Sequence, residues 1–285
     1  MISEFYKSLE DIWYDYGDPR AQDFLFTRTP YPILITIGIY IFICEVVLPT
    51  FFKGKKYPNA RYVLVLTYVM QLFSCIVANG YGLYMAYKLK YNLRCEPVTP
   101  SFEGYHYKLA VLTYYWVCFK IFEMVESFLV YLLYGVVPTF INIHHILLPL
   151  CLTIGSHFYM GGSPLFLGMF YNFDHAFNYT FIALRMYSDD YRRKSDTWFK
   201  KYQFLSAMIS MFLGLAFFIQ LEKRDDCDHT IIKYIAIAIY VTFIILTIYY
   251  RANNCKKKKP TTVLVHNTKD QYEKAPKEDI MFDPT

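Results

Sequence analysis

The sequence is poor in three features that mark soluble or secreted globular proteins. Charged residues make up only 19% of its 285 residues and are crowded between long apolar runs. None of the seven cysteines stands in a CxxC pair, which argues against a zinc site built from thiolates. The first 30 residues lack the short apolar core of a secretory signal peptide, so we expect the first apolar run to act as its own targeting signal.

Apolar and aromatic side chains are abundant instead. Hydrophobic residues make up 55% and aromatic residues 20% of the chain, and several runs reach the length of about 20 residues that crosses a bilayer. The net charge of +5 is modest and unevenly placed, which does not indicate a nucleic acid partner. We therefore predict an all-α polytopic membrane protein. Its seven predicted transmembrane spans are approximately 31–51, 62–86, 109–134, 137–157, 163–185, 202–221 and 231–250.

The distribution of Lys and Arg predicts the orientation of these spans. Basic residues cluster in the 52–61 and 185–201 connections and at the start of the C-terminal tail. Because cytosolic loops carry an excess of such residues, these three segments are expected in the cytosol. The prediction is a lumenal N-terminal segment over 1–30, a seven-helix membrane domain over 31–251 and a disordered cytosolic tail over 252–285.

Two cysteines fall in connections that this orientation places in the lumen. Cys95 lies in the 87–108 connection and Cys227 in the 222–230 connection. Because the lumen is oxidising, the two are natural partners for a disulfide, and two separate thiols are the alternative.

Polar and ionisable residues interrupt three predicted spans, where they are costly and therefore indicate function. At a helical rise of 1.5 Å per residue, Glu126, His144 and His175 all lie about 10–15 Å from the cytosolic edge. Three separate stretches thus bring carboxylates, an amine and imidazoles to one layer. The layer comprises Lys120, Glu123, Glu126 and Ser127 in span three, Asn142, His144 and His145 in span four, and Asn172, Asp174, His175, Asn178 and Tyr179 in span five.

Helical spacing places members of this layer on single helix faces. In spans three and five, polar residues recur at i, i+3 and i+7, so each set can face the bundle interior. The alternative for Lys120 and Glu123 is a purely structural buried ion pair. The many Tyr and Phe residues are assigned to packing and to the membrane interface rather than to chemistry.

At these residues the sequence resembles the ELO family of fatty acid elongases. The family's HxxHH box stands at 141–145, with His144 and His145 as its final pair and Ile141 in the place of the first histidine. The family's KxxExxDT motif stands at 120–127, with Glu and Ser in its last two positions.

Further motifs extend the resemblance over nearly the whole chain. The HxxMYxYY motif corresponds to 175–182, where His175 and Tyr179 are kept. The stretches 18–20, 94–98 and 198–202 are similar to animal members of the family. The family's TxxQxxQ motif in span six is not recognisable in this sequence.

The resemblance implies a barrel of six helices around an acyl tunnel, with a seventh helix, in the endoplasmic reticulum membrane. It also implies a lumenal disulfide between Cys95 and Cys227. The expected reaction is the decarboxylative condensation of malonyl-CoA with a long-chain acyl-CoA to give 3-ketoacyl-CoA. No cofactor and no metal is expected. The expected partners are acyl-CoA, malonyl-CoA, membrane lipid and other enzymes of the elongation cycle or a second copy of the chain.

The resemblance also suggests roles for individual residues. His144 is expected to take the acyl group from the thioester. His175 lies beside it, and His145 orients the pair or polarises the thioester carbonyl. Glu123 and Glu126 are expected to set the tautomer of an imidazole, as a carboxylate does in a catalytic triad. The remaining expected site residues are Lys120, which balances the acids, Asn172, Asn178 and Tyr179, which bind substrate, and Arg192, Arg193, Lys200 and Lys201, which bind the CoA phosphates.

Three other functional hypotheses remain. The absence of a histidine at Ile141 and of the span-six motif defines the first, a catalytically impaired relative of the elongases. A seven-helix receptor would not need this set of charges near the cytosol, and a transporter would need charges along the whole path. A di-iron desaturase is excluded, because only four of the seven histidines lie in or at the edge of spans.

Overall fold

The structure is a computed structural model that describes residues 11, 13–53, 55, 57–92, 96–162 and 164–222, with isolated residues between 237 and 249. All regular structure in these ranges is helical. A 3-10 helix, Pro19–Asp23, and one turn, Leu25–Arg28, precede six long helices. These are α1 (Tyr31–Phe52), α2 (Ala60–Leu89), α3 (Gly104–Tyr134), α4 (Thr139–Phe158), α5 (Pro164–Tyr187) and α6 (Asp189–Glu222).

Local sequence explains where several of these helices begin, end or change. Gly135 ends α3 in the left-handed conformation, with φ of 80°, and its N–H donates to the carbonyl of Tyr131. Pro138 precedes the first residue of α4, so only a short connection separates the two helices. Within α1, residues Ile43–Val47 form a π-helical turn. Within α4, Pro149 has no N–H to donate to the carbonyl of His145.

The six helices pack in the order α1, α4, α3, α2, α5 and α6, in which each contacts the next. Helix α3 is central, because three apolar cores form on its faces. One core lies between α2, α3, α5 and α6, the second between α1, α3 and α4, and the third between α2, α3 and α5. Gly168 permits the close approach in the third core, since a Cβ there would lie 2.2 Å from a ring carbon of Trp116.

Among the described residues, three helices have the length and apolar composition to cross a membrane. They are Tyr31–Phe52, Ala60–Leu89 and Ile141–Phe158. Large apolar side chains such as Ile35, Phe42 and Phe73 are exposed on their outer faces, as expected of a surface in contact with lipid. The chain is therefore a helical membrane protein, and its predicted number of seven spans stays a prediction.

Two expectations require comment at the C-terminal side of the bundle. The predicted connection 185–201 is mostly helical, because α6 begins at Asp189 and continues into the predicted sixth span. Its charged residues gave no apolar periodicity from which a helix could be predicted. Most of the predicted seventh span, the tail after 251 and the closure of a barrel lie outside the described residues.

A polar cluster anchors the N-terminal segment to the bundle. We call it the N-terminal cluster, and its members are Asp18, Arg20 and His157. Arg20 forms an ion pair of 2.6 Å with Asp18 and donates to the backbone carbonyls of His106 and Met160. The backbone N–H of Asp18 donates to the carbonyl of His157. These bonds fix the segment before α1 against the start of α3 and the end of α4.

Candidate active site

The centre of the predicted polar layer is a buried ion pair on α3. Lys120 Nζ lies 2.5 Å from Glu123 Oε1, and each side chain is only 2% exposed. The hydroxyl of Tyr179, on α5, donates to the same carboxylate oxygen at 2.5 Å. Because a buried charge is stable only when it is paired and hydrogen-bonded, these contacts explain how the carboxylate tolerates the apolar interior. Lys120 is placed where it balances the charge of Glu123.

Two imidazoles from different helices meet beside this ion pair. The rings of His144, on α4, and His175, on α5, lie nearly parallel, with centroids 6.1 Å apart and an interplanar angle of 15°. One nitrogen of each ring and one oxygen of Glu123 all lie within 4.8 Å of one another. Glu123, His144 and His175, which are 21 and 31 positions apart in the sequence, thus lie with Lys120 in one cluster of an acid, an amine and two imidazoles.

Tyr171 of α5 joins these groups, although it was not among the residues predicted for the site. Its hydroxyl lies 3.2 Å from His144 Nε2, and its ring centroid lies 4.0 Å from that of His175. Lys120 Nζ lies over the same ring, 4.9 Å from its centroid. Tyr171 therefore contacts the ammonium group and both imidazoles at once.

The contact between His175 and the backbone of Tyr171 defines a tautomer. His175 Nδ1 lies 3.1 Å from the carbonyl oxygen of Tyr171. Since a carbonyl oxygen only accepts hydrogen bonds, Nδ1 must carry the proton. In the neutral ring Nε2 then holds the lone pair, which makes it the nitrogen able to act as a base.

His145 belongs to a different hydrogen-bond chain, which crosses three helices. The hydroxyl of Tyr40, on α1, donates to Asn142 Oδ1 at 2.8 Å, so it accepts from Ser127 Oγ at 2.9 Å. Ser127 has then used its own proton and accepts from His145 Nδ1 at 2.8 Å. This chain fixes the His145 ring against α3 and α1, and its ring centroid lies 5.7 Å from that of His144.

The carboxylate of Glu126 contacts a phenol rather than an imidazole. Tyr68 of α2 donates to Glu126 Oε1 at 2.8 Å, and both side chains are buried. The hydrogen bonds seen at Nδ1 of His145 and His175 go to a hydroxyl and a carbonyl. The contact that the structure gives Glu126 is thus with Tyr68 of α2, and its expected role in setting the tautomer of an imidazole stays a prediction.

Asn178 contacts the preceding turn of its own helix. Its amide donates to the backbone carbonyl of Asp174, at 3.2 Å, and to Asp174 Oδ2, at 3.3 Å. The other carboxylate oxygen of Asp174 accepts from the hydroxyls of Tyr202 and Ser206 on α6. Asn178 thus helps to hold Asp174 in the α5–α6 contact, and its expected role in substrate binding stays a prediction.

The predicted CoA-binding cations lie in the first half of α6, away from the polar cluster. Arg193 and Lys201 are exposed and Arg192 is half-buried, whereas for Lys200 the structure describes only the backbone. Arg192 precedes Ser206 by 14 residues, which is about 20 Å along the helix. Arg192, Arg193 and Lys201 thus lie at the end of the bundle rather than in the cluster itself.

Three other predicted residues have simpler outcomes. Asn172 is buried, with 3% of its surface exposed, one helical turn before His175 on α5. Cys95 and Cys227, the predicted disulfide pair, lie outside the described residues.

The tyrosines are the residues that sequence reasoning missed. Tyr40, Tyr68 and Tyr171 all contact the polar layer, but 29 tyrosines in the chain made packing the default interpretation. The one available signal was spacing, because Tyr171 precedes His175 by four residues and therefore shares its helix face.

Metal binding is the other chemistry that this donor set allows. Glu123, His144 and His175 each offer one ligand atom, and two imidazoles with a carboxylate is a set that zinc enzymes use. The Lys120 ammonium group already neutralises Glu123, however, so the charge of the cluster is balanced by the protein itself.

Comparison with known proteins gives a consistent result. Residues 25–262 match the model of the family described as ELO, the GNS1/SUR4 family. The chain is 27% identical over 242 residues to very long chain fatty acid elongase 7 of Drosophila melanogaster, which covers 81% of this chain and 70% of the relative. It is 22% identical over 274 residues to very long chain fatty acid elongase 7 of Rattus norvegicus, covering 92% and 95% of the two chains. A third similar protein, 25% identical over 74% of this chain and 62% of its own length, is a very long chain fatty acid elongase of Aedes aegypti.

Proposed function

The chain belongs to the GNS1/SUR4 family, and from this premise we propose that it condenses a long-chain acyl-CoA with malonyl-CoA. The products are 3-ketoacyl-CoA, CoA and CO2, which makes the protein an acyltransferase of fatty acid elongation. The observation that carries the proposal is the His144–His175 pair beside the Lys120–Glu123 ion pair. The same membership disfavours the receptor and transporter hypotheses.

The first step of the proposed reaction is acyl transfer to His144. An imidazole nitrogen attacks the carbonyl carbon of the thioester, so that a C–N bond forms and the C–S bond breaks. The proton that the imidazole gives up leaves on the CoA thiol. The hydroxyl of Tyr171 is hydrogen-bonded to His144 Nε2 and holds the ring in place before the attack.

The second step forms the new carbon–carbon bond. Malonyl-CoA loses CO2, and the electron pair of the broken C–C bond becomes an enolate that attacks the acyl carbonyl. The C–N bond to His144 then breaks, and the departing imidazolate takes up one proton from water, which restores the neutral imidazole. Negative charge develops on oxygen in both steps, and the ammonium group of Lys120 in this buried layer is placed to stabilise it. His175, with its lone pair on Nε2, is the adjacent base.

The setting of the reaction follows from the proposed orientation. The cluster opens toward the cytosol, where both CoA esters are found, and the protein resides in the endoplasmic reticulum membrane with its N-terminus in the lumen. Arg192, Arg193, Lys200 and Lys201 lie at the same end and are proposed to bind the CoA phosphates. Their helical spacing repeats over two to three turns, which gives an elongated rather than a focused basic surface.

The decisive experiment is expression in cells that lack their own elongases, followed by fatty acid profiling. We expect acyl chains two carbons longer than those supplied, and we expect them to disappear in His144→Ala and in His175→Ala. His106→Ala is the matched control, because His106 is a histidine of α3 outside the cluster. Absence of any longer species across a broad range of supplied acids contradicts the proposal and favours the catalytically impaired relative.

A further inference from the structure

One buried side chain has no hydrogen-bond partner for either of its polar atoms among the residues that the structure describes. Gln71, in the middle of α2, is fully buried. Within the part of the chain that the structure describes, neither its Oε1 nor its Nε2 has a hydrogen-bond partner. A buried polar group left unpaired is destabilising, so an amide with both ends unpaired is an unfavourable choice for a structural position.

The contacts of Tyr68 locate Gln71 relative to α3. Tyr68 donates to Glu126, and Gln71 follows Tyr68 by three residues on the same face of α2. The two helices run antiparallel, since Tyr57 contacts Leu132 near one end and Gly82 approaches Leu112 near the other. Moving from Tyr68 to Gln71 therefore corresponds to moving from Glu126 toward Glu123.

The contacts with α5 give the same level independently. The rings of Tyr68 and Tyr179 lie 5.8 Å apart, and Gly82 approaches Met169. The helices α2 and α5 are thus also antiparallel, and Gln71 falls between these two contacts, about one turn from the first. This position is level with the turn of α5 that carries His175. Gln71 therefore lies in the layer of the ion pair and the imidazoles.

We infer that the Gln71 amide is a substrate-binding group, whose Nε2 donates a hydrogen bond to the thioester carbonyl of the bound acyl-CoA. This inference rests on the proposed function and adds a residue to it. A fatty acyl chain is hydrocarbon except at its thioester, so the thioester is the polar group that such a chain presents at this depth. Gln71 is neutral, so its donor remains available at any pH at which Glu123 and Lys120 stay paired.

A donor in this position acts on the developing oxyanion as well as on the ground state. The removal of one such donor from an oxyanion site lowers turnover by about 100- to 1,000-fold in a well-studied protease. The cost of the unpaired amide in the substrate-free protein is the counterpart of that gain. Gln71 is thus predicted to lower stability and to raise activity, which is a combination that a structural residue does not show.

The test compares Gln71→Met, which keeps the approximate volume, with the wild-type protein in lipid nanodiscs. We expect the variant to be at least as stable toward heat as the wild type, because the unpaired amide is gone. We expect its condensation rate with acyl-CoA and malonyl-CoA to fall about 100-fold. We also expect acyl-CoA to raise the melting temperature of the wild type more than that of the variant.

Thr153→Val is the matched control. The hydroxyl of Thr153 is likewise buried and unpartnered in the described part of the chain, but it lies eight residues beyond His145 on α4, about 12 Å along the helix. If unpaired polar groups merely mark imperfect packing, the two variants behave alike. If Gln71 binds substrate, both variants keep their stability and only Gln71→Met loses activity.

The remaining outcomes separate this inference from the proposed function. A Gln71→Met variant that turns over at the wild-type rate, or one that melts well below it, overturns the inference. If the wild-type protein makes no product, the proposed function is contradicted. Thermal stabilisation by acyl-CoA then tests the contact between Gln71 and the substrate. Stabilisation that is lost in Gln71→Met supports the substrate contact, whereas stabilisation that is kept, or absent from both proteins, overturns it.

Discussion

Two buried ion pairs in the described part of the chain have nearly equal lengths, but their surroundings differ completely. Asp18 and Arg20 approach to 2.6 Å in the N-terminal cluster, and Lys120 and Glu123 approach to 2.5 Å in the centre of the bundle. All four residues are almost fully buried. Charge and burial alone therefore do not distinguish the two pairs. The groups that surround each pair do distinguish them.

The partners of the Asp18–Arg20 pair are largely backbone groups. Arg20 donates to two carbonyls from distant segments, and Asp18 accepts from the backbone N–H of Arg20 in addition to its guanidinium group. Such bonds tie segments of the chain together and offer no group that reacts. The pair is a structural anchor for the residues before α1.

The partners of the Lys120–Glu123 pair are side chains from other helices. Tyr179 donates to the carboxylate, Tyr171 lies under the ammonium group, and His144 and His175 lie within reach of the same carboxylate. Phenols and imidazoles can exchange protons and bond to substrates, whereas carbonyls of helices and loops hold positions. The chemical type of the surrounding groups therefore identifies the reactive pair.

The largest expected effect tests the structural half of this comparison. Arg20→Met leaves the Asp18 carboxylate buried without its partner, which we expect to cost about 3–5 kcal/mol of stability. Thermal and denaturant unfolding measure that loss. The condensation rate per folded molecule should match that of the wild type. A rate that falls among molecules that remain folded contradicts the assignment of this pair to structure.

The next effect tests the reactive half. The double variant Lys120→Met/Glu123→Gln removes both charges together, so the fold should tolerate it better than either single change. We expect its condensation rate to fall by about 100-fold, which corresponds to about 2.7 kcal/mol of transition-state stabilisation. Melting temperature and product formation are measured on the same sample. A variant that melts far below the wild type but keeps its rate assigns this pair to structure as well.

The smallest expected effect concerns Tyr171. Tyr171→Phe keeps the ring beside His175 and Lys120 but removes the hydroxyl from His144 Nε2. We expect a loss of about tenfold in the condensation rate and an unchanged melting temperature, because one hydrogen bond to a reacting imidazole contributes about 1–1.5 kcal/mol. Tyr115→Phe, on the outward-facing side of α3, is the control. Equal rates in the two variants would remove Tyr171 from the site.

Much of this arrangement could be predicted because its causes are local. Apolar runs of sufficient length form helices in a bilayer, and the six long helices overlap the first six predicted spans. The polar layer was visible because charged groups are costly inside such runs. The helical start of α6 was not predicted, because residues 189–201 carry too many charges to show an apolar face.

The contacts within the layer could not be predicted from spacing alone. Glu126 and Asn178 lie on the predicted spans, but the contacts that the structure gives them are with Tyr68 of α2 and with Asp174 one turn earlier on α5. A tyrosine in a chain with 29 tyrosines carries no signal until its neighbours are known. Gln71 was missed because the sequence does not reveal whether a neutral polar residue in a long span has a hydrogen-bond partner.

Sequence patterns were sufficient to predict a helical membrane protein that resembles the elongases, with imidazoles, carboxylates and an amine at one depth. The spans and the depth follow from the length and polarity of each segment, and the resemblance follows from short motifs, all of which are local. Which of these groups touch depends on the tertiary structure. Helix rotation and register are set by packing between distant segments, such as Gly168 against Trp116 and Gly82 against Met169. That packing brings Tyr171 to His144 and Tyr68 to Glu126, and in the described part of the chain it leaves the Gln71 amide without a hydrogen-bond partner.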